Sequence, residues 1–243
     1  MDRIGAVSTS KDPARIAGMF DAIAARYDVL NHALSAGLDR RWRRRAIRAL
    51  ALSGRERLVD VCTGTGDLAV EAATHTRGRA REVIGVDFAG AMVRLGLDKI
   101  RRLGLDTRIH LARADAMRLP LADASCDAAT VAFGIRNVAD PLVACREIAR
   151  VLRPGGRLAI LEFGMPTMPG VGGLYRWYFQ HVLPGIGRLV SRHHEAYAYL
   201  PASVGDFATP REFAECLRAS GFKSVRAVPL TVGVVYLYVG ERA

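Results

Sequence analysis

Between Leu58 and Asp67 the chain reads Leu-Val-Asp-Val-Cys-Thr-Gly-Thr-Gly-Asp, an apolar run of strand length that breaks into two glycines and then opens a helix. Glycines there supply positive φ and let the backbone approach a ligand closely. From Arg57 onward short apolar runs alternate with helical patterns. Strands are predicted at Leu58–Cys62, Glu82–Val86, Arg108–Ala112, Asp127–Phe133 and Arg157–Phe163, with helices at Asp67–Thr76, Ala89–Leu103 and Pro141–Leu152. That β-α-β-α rhythm predicts an α/β fold, a parallel sheet with helices on both faces. Such sheets bind ligands at the carboxyl ends of their strands.

The glycine turn suits two cofactor classes. Gly64-x-Gly66-x-x-Ala69 fits a dinucleotide fingerprint, and Asp87 follows Gly66 by 21 residues, where a carboxylate can accept from both ribose hydroxyls. Charge favours the other class. A pyrophosphate at this helix start would meet Asp60 and Asp67, whereas the sulfonium and ammonium of S-adenosylmethionine would be attracted by them. Asp115-Ala116, after the next strand, is placed to read an adenine edge.

Before and after this core the pattern differs. Asp12-Pro13 is a helix start, and Ile16, Met19, Phe20, Ile23 and Tyr27 recur at helical spacing. A second helix runs from about Asp39 to Leu52 with a stripe of Leu38, Trp42, Ala46, Ala49 and Leu50 among arginines. Gly164 to Phe207 is rich in Gly, Pro and aromatics and is predicted to hold a helical lid. Thr209-Pro-Arg-Glu212 has capping-box spacing, and Val225–Pro229 with Thr231–Val239 predicts a terminal hairpin. The chain divides as one domain into a helical cap (1–56), a cofactor-binding core (57–163), a lid (164–208) and a closing helix and hairpin (209–243).

Several function classes are excluded by composition. Cys62, Cys126, Cys145 and Cys216 are too scattered for a zinc site or a disulfide framework, so a reducing, cytoplasmic compartment is expected. Met1 to Lys11 has no apolar core of a signal peptide. The most apolar stretch, 170–190, is broken by Arg176, His181, Pro184 and Arg188, so no span is expected. Net charge is +11, and only three of the 35 cationic residues are Lys (11, 99 and 223). The Arg40–Arg48 cluster around Trp42 reads as a contact for an anionic membrane surface; a solvated helix face is the plainer alternative. No nucleic-acid motif accompanies it.

Four segments stand out: Tyr27-Asp-Val-Leu-Asn31 with Ser35, Gly37 and Trp42; Phe133-Gly-Ile-Arg-Asn-Val-Ala-Asp140; Arg150-Val-Leu-Arg-Pro-Gly-Gly-Arg-Leu-Ala-Ile-Leu-Glu-Phe163; and His181-Val-Leu-Pro with Tyr197-x-Tyr-Leu200. In these segments the chain resembles the UbiE/MenG-type quinone-biosynthesis C-methyltransferases, a branch of the class I methyltransferases, and the resemblance takes in nearly the whole chain. It implies a seven-stranded sheet whose last strand is antiparallel, S-adenosylmethionine as methyl donor and a prenylated quinol as acceptor. The acceptor so implied is demethylmenaquinol, with a methoxy-polyprenyl-benzoquinol as a second one; another small aromatic acceptor is the alternative. It also implies Thr65, Asp87, Asp115 and Ala116 as cofactor contacts, and Asp60, Gly64, Gly66 and Ala132 are counted with them. Three positions depart from the family pattern: Ala132 and Gly164, where Ser or Thr is usual, and Asp39, where some members have His.

Methylating a ring carbon requires an ionised quinol hydroxyl, hence a base or a cation near it. Arg136 is placed to stabilise that oxyanion or hold a water, and Asn137 to orient the ring. The plainer alternative for Arg136 is a loop-fixing pair with Asp140. Tyr27 is read either as a hydrogen-bond partner of the substrate oxygen or as a packed core tyrosine. His181 is the best-placed imidazole for a base, with a partly buried structural histidine as the plainer alternative, and His193 and His194 are expected at the surface. A homo-oligomer is compatible with the sequence.

Overall fold

The computed structural model describes residues 11–76, 78–166 and 194–243. Two helices, α1 (Pro13–Leu34) and α2 (Leu38–Ala49), precede the sheet. Then follow β1 (Arg57–Val61), α3 (Asp67–Thr74), β2 (Glu82–Asp87), α4 (Gly90–Arg102), β3 (Ile109–Arg113) and β4 (Cys126–Ala132). A single 3-10 turn (Ile135–Asn137) leads into α5 (Pro141–Val151) and β5 (Leu152–Phe163). The described chain closes with α6 (His194–Gly205), α7 (Pro210–Ala219), β6 (Phe222–Leu230) and β7 (Val235–Arg242).

The seven strands lie in the order β3-β2-β1-β4-β5-β7-β6. β1 to β5 pair in parallel, and β7 runs antiparallel to both β5 and β6. The antiparallel hairpin expected from the C-terminal sequence is therefore present, joined by a short turn at Thr231–Gly233. Strand order reverses between β1 and β4, so the loops that leave these two strands border one crevice.

Side chains alternate across the sheet as the pleat requires. Val59 and Val61 face a core shared with Ile148 of α5 and Phe213 and Leu217 of α7. Leu58 and Ala128 face the opposite core, with Ala46 and Ile47 of α2, Leu68 and Ala72 of α3 and Ile100 of α4. Asp12 caps α1 by accepting from Arg15 N, Asp140 caps α5, and Thr209 with Glu212 forms the expected capping box on α7.

Trp42 lies in the core, as its place in the apolar stripe of α2 predicts. It is buried against Phe133 and Phe163, and its indole N–H donates to Thr231 Oγ1 at 2.9 Å. Arg40, Arg41, Arg44, Arg45 and Arg48 are exposed, but Arg43 is buried. None of the described helices is long and apolar enough to cross a membrane.

Candidate active site

A cleft of about 790 Å³ opens at the carboxyl ends of β1, β2 and β4. The glycine turn forms one wall, with Gly64 at φ +58° and Gly66 at φ +84°, the latter capping α3. Asp87, at the end of β2, accepts from Gly64 N at 2.7 Å and Ala89 N at 2.9 Å, which fixes its carboxylate at the cleft. Burial pushes its pKa up. Asp115 accepts from Met117 N and lines the same cleft with Ala116 and Ala132. Gly64, Asp87, Asp115, Ala116 and Ala132, five of the sequence-predicted cofactor contacts, are thus brought to one cavity.

The remaining three behave differently. Asp60, next to last in β1, is buried and accepts from Thr63 Oγ1 at 2.6 Å and Thr130 Oγ1 at 2.7 Å. Burial outweighs those bonds and pushes its pKa up to about 6. Asp60 borders a smaller space of about 360 Å³, which shares Tyr27, Cys62, Gly64, Ala132 and Phe133 with the main cleft. Thr65 turns its hydroxyl away to donate to Asp28 Oδ1 at 2.5 Å, leaving its backbone as the part beside Gly64 and Gly66. Gly66 supports the turn from behind, against Ile100 and Leu111.

Asp67 likewise does not face a ligand with a free charge. Lys99 Nζ donates to it at 2.7 Å, and Arg43 Nη2 lies 3.2 Å away. Lys99 also reaches Asp28 at 2.5 Å, and Arg43 pairs with Asp39, which accepts from Ser35 and contacts His32 Nδ1 at 2.6 Å. Charges therefore alternate along Asp39, Arg43, Asp67, Lys99 and Asp28, tying α1 and α2 to the start of α3 and to α4. Asp39, at the position where some family members carry His, is a buried junction in that chain.

Helix α1 roofs the cleft with Ile16, Ala17, Phe20 and Tyr27. Tyr27 lines the cleft and packs edge-on against Phe20, with ring centroids 6.0 Å apart. Burial raises its pKa, so it stays a protonated donor.

On the far wall stand Phe133, Gly134 and Asn137. Arg136 is buried and does not pair with Asp140, which is used as the α5 cap. Its partner is Glu162 of β5: Nη1 donates to Oε1 at 2.6 Å and to the Phe133 carbonyl at 2.6 Å. Glu162 is completely buried and also receives the amides of Arg136 and Phe163. Asn137 Oδ1 accepts from the Tyr199 hydroxyl at 3.2 Å. His181 and His193 lie outside the described residues, as does the His194 side chain.

Sequence reasoning missed Glu162 as a site residue and Lys11, which lines the cleft with its pKa lowered by burial. The rarity of Lys in this Arg-rich chain was the signal available for Lys11. Gly164, where Ser or Thr is usual, has a packing reason: a Cβ there would stand 2.7 Å from the Tyr236 ring.

Comparison with known proteins bears on the chemistry. The sequence profile of the ubiE/COQ5 methyltransferase family matches residues 8–242. The chain is 51% identical over 226 residues to a ubiquinone/menaquinone biosynthesis C-methyltransferase UbiE of Syntrophotalea carbinolica, covering 93% of each chain. It is 46% identical to a demethylmenaquinone methyltransferase of Thermus thermophilus, covering 92% of this chain and all of the relative. Solved structures share the fold at lower identity. The [4+2]-cyclase SpnF superposes with a TM-score of 0.68 at 20% identity, covering 93% of this chain and 94% of that one. A SAM-dependent methyltransferase from Thermotoga maritima superposes with a TM-score of 0.65 at 18% identity, covering 94% and 100%. A cyclase among these neighbours shows that fold alone does not set the reaction, so the assignment rests on the profile and the close relatives: the chain belongs to the ubiE/COQ5 methyltransferase family and is a C-methyltransferase of the quinone-biosynthesis type.

Proposed function

We propose that this enzyme uses S-adenosylmethionine to methylate a ring carbon of a prenylated quinol, demethylmenaquinol in the first place and a methoxy-polyprenyl-benzoquinol as a second acceptor. The observation that carries the reading is the cleft itself: an acid at the end of β2, a glycine turn and the Phe133–Asn137 wall meet around one cavity. Its residues fit an adenosyl group. Asp87 keeps lone pairs for ribose hydroxyls beside its two backbone bonds, Asp115 and Ala116 line the next position, and nothing larger than Gly stands at Gly64.

Bound there, S-adenosylmethionine supplies an electrophilic methyl carbon. The protein's part is to hold the acceptor in line and to favour its ionised form. The largely apolar roof of Ile16, Ala17, Phe20 and Met92 suits an aromatic ring and excludes water. Asn137, on the cleft wall, is the group we assign to the quinol oxygen. Arg136 stands behind it as half of a neutral pair with Glu162 and supports the turn from which Asn137 projects. Lipid-soluble acceptors arrive from a bilayer, and the exposed arginines of α2 suit the anionic headgroups of its surface. Trp42 takes no part in that contact.

The test is turnover by the purified enzyme on a reduced prenyl-naphthoquinol, with the product examined by mass. A product heavier by one methylene unit supports the reading, and loss of S-adenosylmethionine binding in Asp87→Ala supports the cofactor site. Binding of NAD in place of S-adenosylmethionine would refute it.

A further inference from the structure

Tyr199 and Ser203 stand one turn apart on α6, on the same helical face. They reach two consecutive residues of the 3-10 turn after β4: the Tyr199 hydroxyl donates to Asn137 Oδ1 at 3.2 Å, and Ser203 Oγ accepts from Arg136 Nε at 3.3 Å. Tyr199 is only 2% exposed. Burial raises its pKa, so its hydroxyl keeps its proton and donates. The Arg15 guanidinium of α1 lies 5.9 Å from the ring centroid, closing the far side.

An asparagine amide has an accepting end and a donating end, and which one faces a ligand depends on what holds the other. Asn137 lines the cleft, and Tyr199 does not. We propose that Tyr199 is a positioning residue: by holding Asn137 Oδ1 it turns the Nδ2 hydrogens toward the cleft, where they hydrogen-bond the acceptor's oxygen as it ionises. This rests on the quinol reading above and assigns a task to α6, a helix with no described residue in the lining of the cleft. Hydrogen bonds to a charged oxygen are about twice as strong as neutral ones, so the donated hydrogens favour quinolate over quinol. A Phe at 199 leaves the amide free to turn its carbonyl inward, which disfavours the anion.

The experiment is the pH dependence of kcat with a reduced prenyl-naphthoquinol, alongside S-adenosylhomocysteine affinity measured by titration calorimetry. Tyr199→Phe is nearly isosteric and is expected to bind S-adenosylhomocysteine as the wild type does. Its kcat on the rising acid limb should fall about tenfold, which moves the midpoint up by about one pH unit. Asn137→Asp keeps the acceptor for Tyr199 and removes the amide hydrogens, so its midpoint must rise at least as far. In the double variant Tyr199→Phe/Asn137→Ala, the loss should equal that of Asn137→Ala alone. A fall in kcat with an unmoved midpoint would make Tyr199 a packing residue and overturn the proposal, as would additive losses in the double variant or a wild-type midpoint in Asn137→Asp. A wild type that binds S-adenosylhomocysteine but methylates no quinol would instead remove the acceptor reading, and the positioning role with it.

Discussion

Gly134 offers a sharp test of how the two walls of the cleft are held together. Its backbone, at φ −115° and ψ −28°, is open to any residue, so alanine meets no conformational penalty there. Space is the obstacle. A Cβ on residue 134 would lie 2.3 Å from Cys62 Cβ and 3.0 Å from its Sγ, whereas carbon atoms rest at about 3.5–4.0 Å. Neither Cβ can rotate away, so one loop must shift by more than about 1 Å, at the upper end of the usual overpacking cost of about 1–3 kcal/mol. For a chain of this size, Gly134→Ala should lower Tm by roughly 6–12 °C. Cys62 itself sits at φ +55°, where glycine is at ease. Cys62→Gly removes both offending atoms and leaves Cys62 Cα at 3.7 Å, an ordinary contact. The double variant Gly134→Ala/Cys62→Gly should therefore recover most of the loss in urea or thermal unfolding, a coupling of about 2 kcal/mol. A Gly134→Ala protein within about 0.5 kcal/mol of the wild type, or a double variant no better than the single one, would refute the close-approach argument.

Two further perturbations read the charges. Asp60 has its folded-state pKa pushed up to about 6 from 3.8, so the folded state binds more protons between those values and its contribution to stability declines as pH rises through that window. In urea unfolding the wild type should lose about 2 kcal/mol relative to Asp60→Asn between pH 4 and pH 7, and a pH-independent difference would show that Asp60 is no more buried in effect than a surface acid. Lys99→Met leaves Asp28 and Asp67 facing each other without their cation, so α1 should exchange its amides faster and S-adenosylmethionine affinity should drop about tenfold, roughly 1–2 kcal/mol for a partly exposed charged network. Unchanged exchange over α1 would mean that its apolar contacts alone hold it down.

How much of this could be read from residues in order follows from the range of each interaction. The β1–glycine turn–α3 unit and the spacing to Asp87 were legible because a strand, a tight turn and a helix start are local events, each with its own residue preferences. The same holds for the caps at Asp12 and Thr209. Partners chosen across the fold were not legible. Arg136 finds Glu162 on the adjacent strand rather than the nearby Asp140, because Asp140 is already committed to the first amides of α5. Trp42 finds Thr231 across 189 residues, a partner for its indole N–H that an apolar stripe does not name. Arg43, one residue on, goes inside with it because Asp39 and Asp67 offset its charge. A stripe of apolar residues on a helix predicts which face turns inward; it does not reveal an arginine that two carboxylates carry in.

The same pairing changes the reason for which the glycine turn would refuse a dinucleotide. Counting acids along the sequence placed Asp60 and Asp67 against a pyrophosphate as two negative charges. In the fold Asp67 is held by Lys99 and Arg43, and Asp60 is enclosed by two threonine hydroxyls with its pKa near 6. The repulsion of Asp67 is thus offset by its two cations, while Asp60 ionises above about pH 6 and keeps its charge at neutral pH. Helix α1 also stands at the turn: Tyr27 Cε1 lies 3.9 Å from the Cβ position of Gly64, beside the approach that a pyrophosphate on a helix N-terminus needs. Exclusion then has a steric part that depends on α1 staying in place. That gives the alternating chain from Asp39 to Asp28 a purpose beyond stability, since its links to Lys99 and Thr65 are what hold the residue next to Tyr27 against the glycine turn.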